Sequence, residues 1–216
     1  MIDIHRPNNM KSVVILIGPM SAGKSTLAGM LAKRLGVSRV ELDEVRQRFY
    51  TEIGYDEKFA SDIVGREGMR GLIEYWKPFE AHAVERALEE YRNCVMDFGA
   101  VHSVYKDEAL FQRVQKALQP YSFVIQILPS PDLDRSVEIV NQRFSEMLIN
   151  EVGKIDQELL ALNEHFVRHP SNRLLAKKTF YTEDRPAKKT CQEILDWIKD
   201  QGGFGRSLPY SQLSLF

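Results

Sequence analysis

The chain has 216 residues, 44% of them hydrophobic and 27% charged, with a formal net charge of -1. That balance describes a globular protein and excludes a disordered, collagen-like or strongly basic one, so no extended nucleic-acid surface is expected. The length suffices for a substantial core, and a single domain over 1–216 is the expected organisation.

Two cysteines, Cys94 and Cys191, lie far apart in apolar surroundings, which predicts buried reduced thiols rather than a disulfide framework or a metal site. Met1 to Met10 carries charges and Pro7 where a secretory leader has an apolar core, and no apolar run approaches the ~20 residues that cross a bilayer. A cytoplasmic location without a membrane partner is expected; the sequence says nothing about oligomeric state.

In chain order, a first apolar strand, Ser12–Ile17, runs into Gly18-Pro19-Met20-Ser21-Ala22-Gly23-Lys24-Ser25-Thr26 and then into a helix, Lys24–Leu35. This is a complete phosphate-binding loop between strand and helix. Its glycines let the backbone wrap a phosphate, and the N–H groups of the loop and helix start point at the anion. Lys24 is expected to reach the β- and γ-phosphates, Ser25 to ligate Mg²⁺ and Thr26 to support the α-phosphate, with Gly18, Ser21, Ala22 and Gly23 forming the cradle. A nucleoside triphosphate, ATP with Mg²⁺, is the expected ligand.

Further strands are predicted at Arg39–Leu42, Cys94–Asp97, Phe123–Leu128 and Thr179–Tyr181, and further helices at Asp43–Thr51, Phe79–Tyr91, Glu108–Leu118, Pro131–Leu148 and Ala187–Lys199. The alternation implies a three-layer α/β/α sandwich on a five-stranded parallel sheet with right-handed crossovers, of P-loop nucleotide-kinase type. The long, charged and helix-prone stretch 52–78, with Gly54, Gly65, Gly68 and Gly71, reads as a substrate-side insertion that can move. The stretch 150–177 sits where a lid would be placed, or forms a fixed helical pair. The tail 201–216 either frays or docks through Leu213, Leu215 and Phe216.

Two carboxylates stand at strand ends, the edge where open α/β sheets bind ligands. Asp43 there is either an acceptor-orienting base or the cap of the helix it precedes. Asp97 is either a Walker-B-like metal carboxylate or a turn residue paired with Gly99. His102 and Tyr105 follow near the same edge. Among arginines that could meet a γ-phosphate, Arg143 leads into the lid segment, Arg168 and Arg173 flank it, and Arg66 and Arg70 lie in the insertion. His165 and His169 have zinc-ligand spacing without a third ligand in reach.

The run Ile17-Gly-x-Met-x-x-Gly-Lys-Ser-Thr-Leu-Ala, continuing through Leu31-Ala32-Lys33-Arg34-Leu35-Gly36 to Glu41-Leu42-Asp43, resembles the P-loop small-molecule kinases, and among them the shikimate kinase-like group. The resemblance implies that Asp43 matches the substrate-binding carboxylate, that Glu41 approximates a metal-side one, and that Thr182-Glu183-Asp184-Arg185-Pro186 packs against adenine, with Arg185 binding nucleotide. Where shikimate kinases carry Gly-Gly-Gly, this chain reads Asp97-Phe98-Gly99-Ala100-Val101-His102, so shikimate as acceptor does not follow. The expected function is transfer of the γ-phosphate of ATP to a hydroxyl of a small metabolite. The alternatives are a P-loop NTPase or nucleotide-dependent binding protein, and a zeta-toxin-like sugar-nucleotide kinase.

Overall fold

The computed structural model describes residues 12–203; the tail residues from 204 onward and Met1–Met10 lie outside the described residues. Strand β1 (Val13–Ile17) is buried at every position, as a continuous apolar run between two helical layers requires. Four more strands, β2 (Ser38–Glu41), β3 (Cys94–Asp97), β4 (Phe123–Leu128) and β5 (Lys178–Tyr181), pair with it in the order β2-β3-β1-β4-β5, every pair parallel.

Among the described residues, seven α-helices lie between strands and an eighth follows β5: α1 (Lys24–Leu35), α2 (Leu42–Glu52), α3 (Glu57–Glu90), α4 (Glu108–Leu118), α5 (Leu133–Val152), α6 (Gln157–Arg168), α7 (Ser171–Leu175) and α8 (Ala187–Asp200). The period-two alternation of β1 divides the core between the two faces. Val13, Ile15 and Ile17 pack with α2, α3 and α4, whereas Val14 and Leu16 pack with α1, α8 and Val140 of α5. The result is the three-layer α/β/α sandwich expected from the strand-helix alternation.

Helix starts are set by aspartates whose side chains accept from first-turn N–H groups: Asp56 for α3, Asp107 for α4, Asp132 for α5 and Asp156 for α6. The Asp132 cap moves the start of α5 from the expected Pro131 to Leu133. Gly36 and Gly153 end α1 and α5 in the left-handed conformation that glycine adopts without strain.

The helix-prone 52–78 stretch is largely helical. Residues from Glu57 onward are helical and run directly into the expected Phe79–Tyr91 helix, giving a 34-residue α3 broken only at Gly68 (φ 67°, ψ -165°). The helix resumes after the break because Glu158 of α6 accepts from the Arg70 N–H at 3.0 Å, doing from another element what a cap residue does locally. In the 150–177 stretch, α6 lies along α5 and touches α3, whereas α7 packs against α4, β4 and the Ala100–Ser103 turn.

Candidate functional site

The phosphate loop keeps an open anion cradle. Gly18 has φ 140°, and a Cβ there would meet the Ile127 carbonyl at 2.4 Å, so only glycine fits. Gly23 (φ 97°) precedes α1 without a side-chain cap, leaving the first-turn N–H groups open. Ser21 adopts φ 58°, a sparsely populated conformation for a residue with a Cβ. The Ser25 and Thr26 side chains are exposed at the mouth, and Ala22 is buried beneath it.

Lys24 is buried, and its Nζ donates to the Pro19 carbonyl at 2.8 Å, which folds the side chain back over the loop. Burial lowers its pKa, partly offset by the nearby Asp97 and Asp43 carboxylates. That electrostatic coupling unites three residues that lie in different parts of the sequence.

Asp97 ends β3 opposite Glu41 of β2 and is almost fully buried. One guanidinium ties both carboxylates, with Arg39 Nη2 3.2 Å from Asp97 and 2.8 Å from Glu41. Asp43 is the second residue of α2 and makes no capping bond; Glu41 occupies the cap position, also without one. Its carboxylate, 54% exposed, faces the site and lies against Gly99. The capping reading of Asp43 therefore does not describe its geometry.

Behind Asp43 is a buried polar cluster. Glu80 of α3 has no exposure; its Oε1 accepts from Arg46 Nη1 at 2.9 Å and from the Tyr50 hydroxyl, and its Oε2 lies 2.5 Å from His102 Nε2. Burial alone would raise the Glu80 pKa, but His102, Arg46 and Tyr50 together hold it below the usual carboxylate value. Tyr50 is shifted strongly upward by burial and by the Glu80 charge. His102 is fully buried in the 3₁₀ turn Ala100–Ser103, so the substitution that removes the Gly-Gly-Gly sequence places an imidazole under the site.

The other side of that turn borders a cavity of about 130 Å³ lined by Arg70, Lys77, Lys106 and His165, with Glu74 the one acidic residue. Lys77 Nζ donates to the Val101 carbonyl at 2.8 Å. Burial pushes Lys77 down to about 8.

Several residues escaped the sequence reading, among them Arg46, Tyr50 and Lys77. Asn163 of α6, fully buried, accepts from the Met20 N–H of the phosphate loop at 2.9 Å and donates to Asn141 of α5 at 3.2 Å. Glu80 is another; in sequence it is one acidic residue among many on a long helix, and only an adjacent buried turn gives it a role.

Other expected residues do not join the cluster. Arg143 on α5 is half-buried and enters no hydrogen bond or ion pair among the described residues. Arg185 pairs with Glu193 of α8 at 2.9 Å, and Arg168 with Asp134 and Glu164. The His165 and His169 rings are 5.1 Å apart, and no group of three or more metal-ligating side chains is found among the described residues. No described helix is long and apolar enough to cross a membrane.

A phosphate loop after the first strand of a parallel sheet, with its lysine facing two strand-end carboxylates, defines a P-loop nucleotide-binding protein. Residues 13–146, more than half of the chain, match the family model described as an AAA domain. A shikimate kinase from Histophilus somni (strain 2336) is 41% identical over 87% of this chain and 95% of its own length. A second, from Pasteurella multocida (strain Pm70), is 27% identical over 89% and 98%. Among solved structures, the shikimate kinase from Acinetobacter baumannii in complex with shikimate superposes with a TM-score of 0.59 at 21% identity, covering 88% of this chain and 93% of that one.

The chain belongs to the AAA-domain P-loop family and, within it, to the shikimate kinase-like kinases. It is an ATP-dependent small-molecule kinase.

Proposed function

We propose that the acceptor is a small anionic alcohol whose hydroxyl is oriented by Asp43. The observation that carries this reading is the half-exposed Asp43 carboxylate resting against Gly99, two residues past Asp97 at the sheet edge that carries the phosphate loop. The acceptor oxygen attacks the γ-phosphorus, the bond to the β–γ bridging oxygen breaks, and Asp43 takes the hydroxyl proton. Lys24 carries positive charge to the β- and γ-oxygens, and the N–H groups of Gly23 to Thr26 hold the phosphates.

Mg²⁺ fits the donors present. Mg²⁺ takes few protein ligands and several waters, so one hydroxyl and one carboxylate suffice. Ser25 offers an exposed hydroxyl, and Asp97, one of whose oxygens faces Arg39, retains the other. When bound, the ion neutralises charge on the β- and γ-phosphates.

The anionic character of the acceptor is supported by the cavity lined by Arg70, Lys77 and Lys106, whose three cations exceed the single carboxylate of Glu74. Arg143, unpaired among the described residues, is assigned to the γ-phosphate on closure of the 150–177 segment, and Arg185 to the adenine side. The single-domain organisation over 1–216 belongs to the same reading. A cytoplasmic setting is part of it too, supported by two free, buried thiols.

The test is ADP release from Mg·ATP across a panel of small hydroxy acids, shikimate included, and of their uncharged analogues. Stimulation confined to anionic alcohols supports the proposal. Acceptor-independent turnover favours an NTPase, and stimulation by a sugar nucleotide favours the zeta-toxin-like alternative.

A further inference from the structure

Asp43 Oδ1 is approached from below by two side chains that share one anchor. Arg46 Nη1 lies 3.3 Å from it and 2.9 Å from Glu80 Oε1. His102 Nδ1 lies 3.3 Å from the carbonyl of Gly99, the residue against which Asp43 rests, and 4.0 Å from Asp43 Oδ1, while the opposite ring nitrogen lies 2.5 Å from Glu80 Oε2. Arg46 is held in turn by the Trp76 ring, 4.6 Å from its guanidinium carbon, and Tyr50 donates to Glu80. Gly99 closes the remaining side.

A cluster serving only the core has no need to end on a half-exposed carboxylate at the nucleotide edge. We propose that Glu80 and His102 are positioning residues that, with Arg46, clamp the Asp43 carboxylate over Gly99. The clamp rests on the reading of Asp43 as the hydroxyl-orienting group. It gives the chain, through side chains, the fixed acceptor geometry for which its Gly99-Ala100-Val101-His102 turn offers little backbone surface. Buried charge of this kind is best attested where it selects one geometry over others.

Two substitutions at one position test the clamp. The amide nitrogen of asparagine superposes on histidine Nδ1 and that of glutamine on Nε2, so His102→Asn keeps the contact with the Gly99 carbonyl under Asp43 and His102→Gln keeps only the one toward Glu80. Crystal structures of both variants are compared with turnover of Mg·ATP, in water and with shikimate as probe acceptor. In His102→Asn, Asp43 stays over Gly99 and turnover falls by no more than about threefold. In His102→Gln, Asp43 rotates away, kcat falls by at least about tenfold, and KM for ATP changes by less than about twofold. That loss disappears in an Asp43→Asn background, because residues acting through one group are not additive.

An Asp43 carboxylate still in place in His102→Gln, or a loss that adds fully to that of Asp43→Asn, overturns the clamp. If His102→Gln does not fold, Glu80→Gln, which replaces one acceptor by a donor facing Arg46 or His102, is read by the same two measurements. Asp43→Asn with unchanged turnover overturns the acceptor-orienting role instead, and the position of Asp43 in the variant crystals then decides the clamp separately.

Discussion

The Asp43 carboxylate lies directly on Gly99: a Cβ at position 99 would come within 2.2 Å of Oδ2 and 2.5 Å of Oδ1. Gly99 has an ordinary backbone (φ -58°, ψ 155°), so it is required by the approach of a side chain and not by a turn conformation. Gly99→Ala is therefore expected to displace Asp43 while sparing the fold. Turnover should fall by about tenfold or more with ATP affinity retained, and the melting temperature should move by only a few degrees. Steady-state kinetics beside a thermal melt check this, and wild-type turnover in the alanine variant would remove Asp43 from the reaction.

Lys24→Ala is expected to abolish nucleotide binding, measured by calorimetry with Mg·ATP. The same change should leave stability unchanged or raise it, because a buried ammonium whose pKa is lowered by burial is removed. A loss of affinity that tracks a loss of stability would point to a structural role.

Asn163 ties α6 to the phosphate loop at Met20 and to α5 at Asn141. Asn163→Ala leaves the half-buried Met20 N–H and the Asn141 side-chain carbonyl without that partner, at a cost of about 1–3 kcal/mol. Chemical denaturation should show this loss together with weaker ATP binding, since the loop is released from α6. Unchanged ATP affinity in a destabilised variant would show that the tie serves packing alone.

Lys77 sets a pH dependence of stability. Its folded pKa of about 8 lies below the ordinary value of 10.5, burial being the main cause. Between those values the unfolded chain holds a proton that the folded chain has released, so stability rises with pH through the window. The difference amounts to about 3 kcal/mol at most. Melting temperatures of wild type and Lys77→Met, compared from pH 7 to 10.5, should converge from a more stable variant at the acid end. Parallel curves would contradict the assignment. Affinity for an anionic acceptor should fall over the same range as the Lys77 charge is lost.

Much of this molecule was legible in its sequence because the signals are local. Strands β1, β3 and β4 announced themselves as apolar runs, β2 and β5 more weakly, and the phosphate loop packs its requirements into nine residues. The helical tendency of 52–78 was legible but its continuity with the Phe79–Tyr91 helix was not: α3 resumes after Gly68 because Glu158, 88 residues beyond Arg70, supplies the missing cap. Asp43 and Asp97 could be nominated from strand ends, but their meeting at Lys24 depends on the order of β2, β3 and β1. Glu80, His102 and Asn163 act through partners 22 to 143 positions away, a relationship that periodicity does not carry.

Acceptor-stimulated ADP release in wild type and Asp43→Asn tests most directly whether phosphoryl transfer goes to an acceptor oriented by Asp43. The expected result is stimulation by a small anionic alcohol in wild type, lost in Asp43→Asn with the dissociation constant for Mg·ATP unchanged. Turnover that needs no acceptor and survives Asp43→Asn would contradict it.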